Sequence, residues 1–267
     1  MNDEMRTVNE LLAARAEAYL LFHKLFGGAP TPELFDELMS DEARGAFEIL
    51  GSESAPLSQV APLLATLSAG DRDALVEGAR GEYTRLLIGP GQPEALPWES
   101  PYVSNEAWFF QENTLVVRRA YEEAGLRARM QGHTPDDHVA IMVDFMAALG
   151  RRSVEVLREG RLNDAAELLR RQERFLTEHM LNWLPLFAES ARRSKTAVLY
   201  PQMAEALSEF AKVDAVLLSE VAYWAEQTEP ESSSEDGTVG ETVFDAAYNR
   251  LRPLRLVGLE DSEITAL

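Results

Sequence analysis

Apolar residues at Val139, Met142, Phe145, Met146 and Leu149 recur at three- and four-residue spacing behind a polar entry, Thr134-Pro135-Asp136-Asp137-His138. The pattern predicts a buried helix through Gly150, with Thr134 as its cap, Pro135 at its first position and Asp136 and Asp137 on its first turn, where negative charge meets free N–H groups. His133 and His138 flank the cluster. A second helical stripe, Leu12, Ala16, Tyr19, Phe22 and Phe26, predicts a helix from Asn9 to Phe26 that Gly27-Gly28 and Pro30 stop. Shorter helices are expected from Thr31-Pro32, over Glu42–Leu50 and over Pro56–Leu67, and a longer one over Asp71–Ile88 ending at Gly89-Pro90-Gly91.

Prolines at positions 90, 93, 97 and 101 exclude regular structure from Gly89 to Asn105. Trp98, Tyr102, Trp108, Phe109 and Phe110 give this stretch aromatic surface to pack or to present. Further helices are expected from an Asn105 cap through Val116, Val117, Ala120 and Tyr121, over Leu162–Met180, from Asn182 through Trp183, Leu184 and Phe187, and over Tyr200–Gln227. No segment alternates with period two, so the chain reads as all-α, a bundle of roughly ten helices in one body or two lobes. The helical domain spans residues 1–227, an acidic Ser-rich linker 228–241, and a C-terminal extension 242–267, either a docked helix or a tail that reaches back over a groove.

Charge changes the picture more than composition does. The 267 residues hold 45 acidic and 25 basic side chains, a formal charge of −20, which repels nucleic acid and anionic membrane and attracts cationic partners. With no cysteine there is no disulfide, thiolate metal site or thiol nucleophile. The first residues lack a basic-then-apolar pattern and no apolar run approaches a membrane span, so a cytoplasmic protein without stable membrane insertion is expected.

Phosphate-binding loops, dinucleotide fingerprints, nucleophile elbows and paired-histidine zinc motifs are absent from the sequence, and no cofactor is expected. The Asp-Asp-His cluster admits three readings: a dipole-stabilising helix start, part of a metal site if other helices supply ligands, or a set of carboxylates for a cationic partner.

Three motifs taken together resemble the TorD/DmsD/NarJ family, cytoplasmic chaperones for the maturation of molybdenum-containing oxidoreductases. They are Tyr83-x-x-Leu86-Leu87-x-Gly89-Pro90-Gly91 with Pro97-Trp98-Glu99-Ser100-Pro101-Tyr102; Pro135-Asp136-Asp137-His138 leading into Asp144-Phe145-Met146; and Glu173-x-Phe175-Leu176-x-x-His179-x-x-x-Trp183-x-Pro185. Leu87 stands where the family usually has Phe, Thr134 replaces a usual Glu, and residues after Gln227 lie outside the pattern. The resemblance implies a TorD-like helical fold and a non-enzymatic chaperone. Its partners would be the twin-arginine signal peptide and apo-form of a molybdenum oxidoreductase, held until the cofactor is inserted. The implied peptide site comprises Tyr83, Leu86, Leu87, Pro97, Trp98, Glu99, Ser100, Tyr102, Asp136, Asp137 and His138. The carboxylates would meet arginines, and Trp98, Tyr102, Tyr83 and Leu86 would supply apolar surface. Tyr83, Leu86 and Leu87 read equally as core, and Phe175 and Trp183 read as core. The alternatives from other classes are a metal-dependent hydrolase using Asp137 and His138 and a structural adaptor of a helical complex.

Overall fold

The computed structural model describes residues 3–52, 54–89, 91–103, 112–129, 134–194, 198–228, 240–257 and 264–267. Helix α1 (Asp3–Gly27) is longer than its apolar stripe and is buried on every side from Leu12 onward, because it is the central rod of the bundle. Four of its buried residues are ionisable and find partners far along the chain. Arg15 pairs with Asp214, Tyr19 donates to the same carboxylate at 2.7 Å, His23 bonds the Ala140 carbonyl through Nδ1 at 2.8 Å, and Lys24 donates to the carbonyls of Arg252 and Leu254. Glu17 is the exception: burial first, then Glu42, push its carboxyl up to about 8, so it stays largely protonated at neutral pH.

Thr31 caps α2 (Pro32–Leu38) and Ser40 caps α3 (Asp41–Leu50) by accepting backbone N–H groups at 3.2 and 3.1 Å. The expected single helix over Pro56–Leu67 is two, α4 (Ala55–Ser58) and α5 (Val60–Ser68). Pro62 explains the break, since its ring cannot accommodate the Ser58 carbonyl that a continuous helix would place against it. Helix α6 (Arg72–Tyr83) runs into a π-helical turn, Thr84–Ile88, that Gly89 closes at φ 69°. There follow α7 (Ser100–Val103), α8 (Glu112–Glu123), strand β1 (Leu126–Ala128), α9 (Val139–Arg158), α10 (Leu162–His179), α11 (Leu184–Arg192), α12 (Tyr200–Gln227), α13 (Val243–Leu251) and strand β2 (Ile264–Ala266). Among the described residues the fold is all-α apart from the antiparallel β1–β2 pair, whose three residues each are too short to register as an alternation.

Helix α9 lies along α1 so closely that a methyl at Gly150 would stand 3.3 Å from the Ala16 Cβ. Helices α10 and α12 flank this pair, and α12 is tied to α6 at its start. The buried Glu82 carboxylate accepts the N–H groups of Val198, Leu199 and Tyr200 at 2.7–2.9 Å, replacing the side-chain cap that α12 lacks. Stacked and edge-on rings of Tyr19, Phe22, Phe26, Phe47, Phe187, Tyr200 and Phe210 fill the space between. After the predicted linker, of which residues 229–239 lie outside the described set, α13 docks on α1 and α3. It buries Phe244, Tyr248 and Leu251 and holds Asp245 between Arg151 and Arg158. No described helix is long and apolar enough to cross a membrane.

Candidate functional site

The proline-rich loop is fastened to the approach to α9, and that fastening displaces the helix start from its expected place. Glu99 N–H donates to the Asp137 carbonyl at 3.1 Å and Val139 N–H to the Pro97 carbonyl at 2.7 Å, with Trp98 and His138 forming an antiparallel bridge between them. Backbone groups used this way cannot also close helical turns. Thr134 is therefore not the cap, Pro135 is not the first helical residue, and Asp136 and Asp137 precede the helix instead of lying on its first turn. The cap is His138, in extended conformation, whose Nδ1 accepts the Ala140 N–H at 3.1 Å.

Asp137 is fully buried and turned toward the loop. One oxygen accepts both the N–H (2.8 Å) and the hydroxyl of Ser100, which starts α7, and the other lies 3.4 Å from the Thr114 hydroxyl. Asp136 receives the Arg118 Nε and Nη2 at 3.0 and 2.6 Å, while its carbonyl accepts the Tyr121 hydroxyl at 2.8 Å. Burial pushes the Asp136 carboxyl up, and the Arg118 bonds pull against it. Glu99, also buried, accepts the Asn182 amide at 3.0 Å, and its second oxygen stands 3.6 Å from His179 Nδ1. Tyr102 stacks on Trp183 at 5.6 Å, and the Trp183 indole N–H donates to the His179 carbonyl. All three sequence motifs thus meet around one loop.

The expected site residues fall into two groups. Tyr83, Leu86, Leu87, Pro97, Glu99, Ser100, Asp136, Asp137 and His138 are buried, and only Trp98 and Tyr102 are partly open to solvent. Phe175 and Trp183 are core, and Tyr83 packs on Tyr200 with ring centroids 5.5 Å apart. In the elements that precede and follow the loop in sequence, Ile88, Val103, Leu115 and Val116 are exposed apolar side chains. Asn105, Trp108, Phe109, Phe110, Pro90 and His133 lie outside the described residues. Arg118, Thr114 and Asn182 complete the network and went unnoticed in the sequence. The one signal available was chemical: three buried carboxylates at a loop need donors from neighbouring helices.

Among the described residues no group of three or more His, Asp or Glu is arranged to hold a metal. One Asp137 oxygen is committed to Ser100, and the His138 Nδ1 to the backbone N–H of Ala140.

A family model described as nitrate reductase delta subunit matches residues 51–189, just over half of the chain and all three motifs. The chain belongs to the NarJ/TorD family. Similar relatives include the chaperone protein TorD of Vibrio vulnificus (strain YJ016), 27% identical over 216 residues that cover 80% of this chain and 97% of the relative. TorD of Vibrio cholerae serotype O1 (strain ATCC 39315 / El Tor Inaba N16961) is 26% identical over 83% of this chain and 98% of its own length. TorD of Shewanella pealeana (strain ATCC 700345 / ANG-SQ1) is 24% identical over 80% and 94%. The chain accordingly has the role of a redox-enzyme chaperone and not of a catalyst.

Burial makes this NarJ/TorD site sensitive to acid. Loss of solvation, with His23 close by, lowers the His138 imidazole to about 3, and burial also lowers His23. A histidine held neutral in the fold but free to protonate near pH 6.5 when unfolded contributes stability above that pH, lost as pH falls toward 3 at up to about 1.4 kcal/mol per unit. His138→Asn keeps a capping acceptor and removes the titration. Its thermal midpoint should fall less steeply than the wild type's between pH 6.5 and 4.5. Parallel curves would show that His138 is not held neutral.

Proposed function

We propose that the chain binds the twin-arginine signal peptide of an apo-molybdenum oxidoreductase in the cytoplasm and withholds it from export until the molybdopterin cofactor is in place. The observation that carries this reading is the loop itself. Trp98 is partly open on a segment pinned by the buried Asp137 and Glu99 carboxylates, in a stretch of the chain where Ile88, Val103, Leu115 and Val116 are also exposed. A rigid aromatic anchor beside apolar surface is what an apolar peptide segment requires, because little entropy is lost on binding.

The formal charge of −20 supplies the other half of the recognition, drawing in the basic end of such a peptide over distances longer than any contact. In this reading Asp136, Asp137 and Glu99 act by positioning. Asp137 holds Ser100, Glu99 holds Asn182, and the guanidinium beside Asp136 is the chain's own Arg118. A peptide arginine reaching Asp136 exchanges places with Arg118, whose side chain is 27% exposed.

The reading is tested by stopped-flow mixing with a labelled twin-arginine peptide. Raising ionic strength from about 0.02 to about 0.5 M should slow association by about tenfold or more, while dissociation, governed by apolar contacts, changes little. An association rate indifferent to salt would mean that the negative charge serves solubility alone.

A further inference from the structure

The C-terminal segment grips the body in two different ways. Helix α13 is anchored: Phe244, Ala247, Tyr248 and Leu251 are buried, and Asp245 sits between two arginines of α9. The residues after it leave the helix through a turn at Arg252-Pro253 and continue as an irregular strap, Leu254-Arg255-Leu256-Val257, and none of the six is buried. Leu254 and Leu256 are half-buried and Val257 is 52% exposed, so the strap contributes little apolar burial.

What holds the strap is mostly its backbone. Lys24 donates to the carbonyls of Arg252 (3.1 Å) and Leu254 (2.7 Å), and the Ala29 N–H donates to the carbonyl of Val257. Gly27 and Gly28 form the floor, where a Cβ at Gly28 would stand 2.5 Å from the Val257 nitrogen and one at Gly27 2.8 Å from the Leu256 side chain. At its head Arg252 pairs with the fully buried Asp144, whose second oxygen accepts the Ile264 N–H at 2.7 Å. Beyond it, β2 adds to β1 in the register Leu126↔Ala266, Arg127↔Thr265, Ala128↔Ile264. A buried carboxylate for one guanidinium, a cation reading carbonyls, a glycine floor and a strand that pairs by its backbone are together the contacts by which an extended peptide is recognised.

We propose that this strap is an internal stand-in for a client segment with an arginine followed by extended apolar residues, and that such a segment displaces it from the trough formed by Lys24, Gly27, Gly28, Asp144 and β1. The proposal rests on the signal-peptide reading and adds to it a second contact region and a built-in competitor. The trough adjoins the Trp98 loop through the first turn of α9. The Ala140 Cβ shares the space over Gly27 with Leu256, the Ala140 N–H is capped by His138, and the His138 ring lies 6.3 Å from that of Trp98. One peptide can therefore span both. Because the strap is tethered by α13, it competes at an effective concentration on the order of millimolar, so only a segment that also engages the loop displaces it.

The test uses the 267-residue chain and a labelled synthetic peptide carrying an arginine pair followed by a leucine-rich run. On saturation with this peptide, amide hydrogen exchange at residues 126–128 and 264–267 should accelerate. Arg252→Ala, and separately Leu256→Ser, which leaves Asp144 paired, should each bind the peptide about three- to tenfold more tightly than the wild type. Peptide binding with unchanged exchange at β1 and β2, or with equal or weaker affinity in a folded Leu256→Ser protein, overturns the displacement and leaves the signal-peptide reading standing. Binding by none of the three proteins overturns both.

Discussion

Asp214→Ala is expected to destabilise the protein by about 3–5 kcal/mol, the scale measured for stranding a buried charge. Arg15 on α1 is entirely inside the bundle, and both Asp214 oxygens on α12 receive its guanidinium. Around the pair, Tyr19 donates to Asp214, and Gln172 accepts from Arg15 at 3.2 Å while its amide donates to Ser153 at 2.9 Å. The network thereby links α1, α9, α10 and α12 at the centre of the fold. Removing only the carboxylate leaves the guanidinium desolvated, whereas removing both charges with apolar residues of similar volume should cost far less. A thermal midpoint lowered by roughly 10 °C or more in Asp214→Ala, with much of it recovered in Arg15→Met/Asp214→Leu, is the expected result. A single-mutant loss below about 1 kcal/mol would mean that water reaches the pair.

The second large effect separates anchoring from positioning at the loop. Trp98→Ala should weaken a twin-arginine peptide by about 1–3 kcal/mol while leaving the melting curve nearly unchanged, because the ring is half-open and its backbone makes the bridge to His138. Asp137→Ala should do both kinds of damage. It strands the Ser100 N–H and hydroxyl inside the protein and releases the loop, for about 1–3 kcal/mol of stability, and it lowers affinity because the anchor is no longer held in place. Calorimetric melting and titration on the same preparations read both quantities. An Asp137→Ala protein that melts like the wild type would contradict the pinning described here.

The difference between what was legible and what was not follows sequence distance. Helix positions and local caps such as Thr31 and Ser40 are set within a few residues, and periodicity finds them. The start of α9 lies later than local pattern indicates because the Asp137 carboxylate and carbonyl and the Val139 N–H are taken by a loop some forty residues upstream, and the long-range pairing prevails over local capping preference. The same holds for α1, where periodicity indicates one apolar face and the fold buries every face by answering Arg15, His23 and Lys24 from α12, α9 and the C-terminal strap. The motif spacings pointed to the residues that converge at Trp98. They did not reveal that most of those residues face inward, because burial depends on Arg118, Asn182 and Thr114, whose placement no local pattern specifies. In the C-terminal extension the pattern left a docked helix and a tail covering the peptide groove as alternatives; α13 packs on the core, and the residues just after it lie against Gly27 and Gly28.

The most direct measurement is capture of a molybdenum oxidoreductase from the source cells in two forms, with its twin-arginine signal peptide and with that peptide removed. The protein should retain the cofactor-free enzyme carrying the peptide and lose most of it when the peptide is absent or when Trp98 is replaced in Trp98→Ala. Equal capture of both forms, undiminished by Trp98→Ala, would contradict this and assign the protein to folded surfaces of its partner instead.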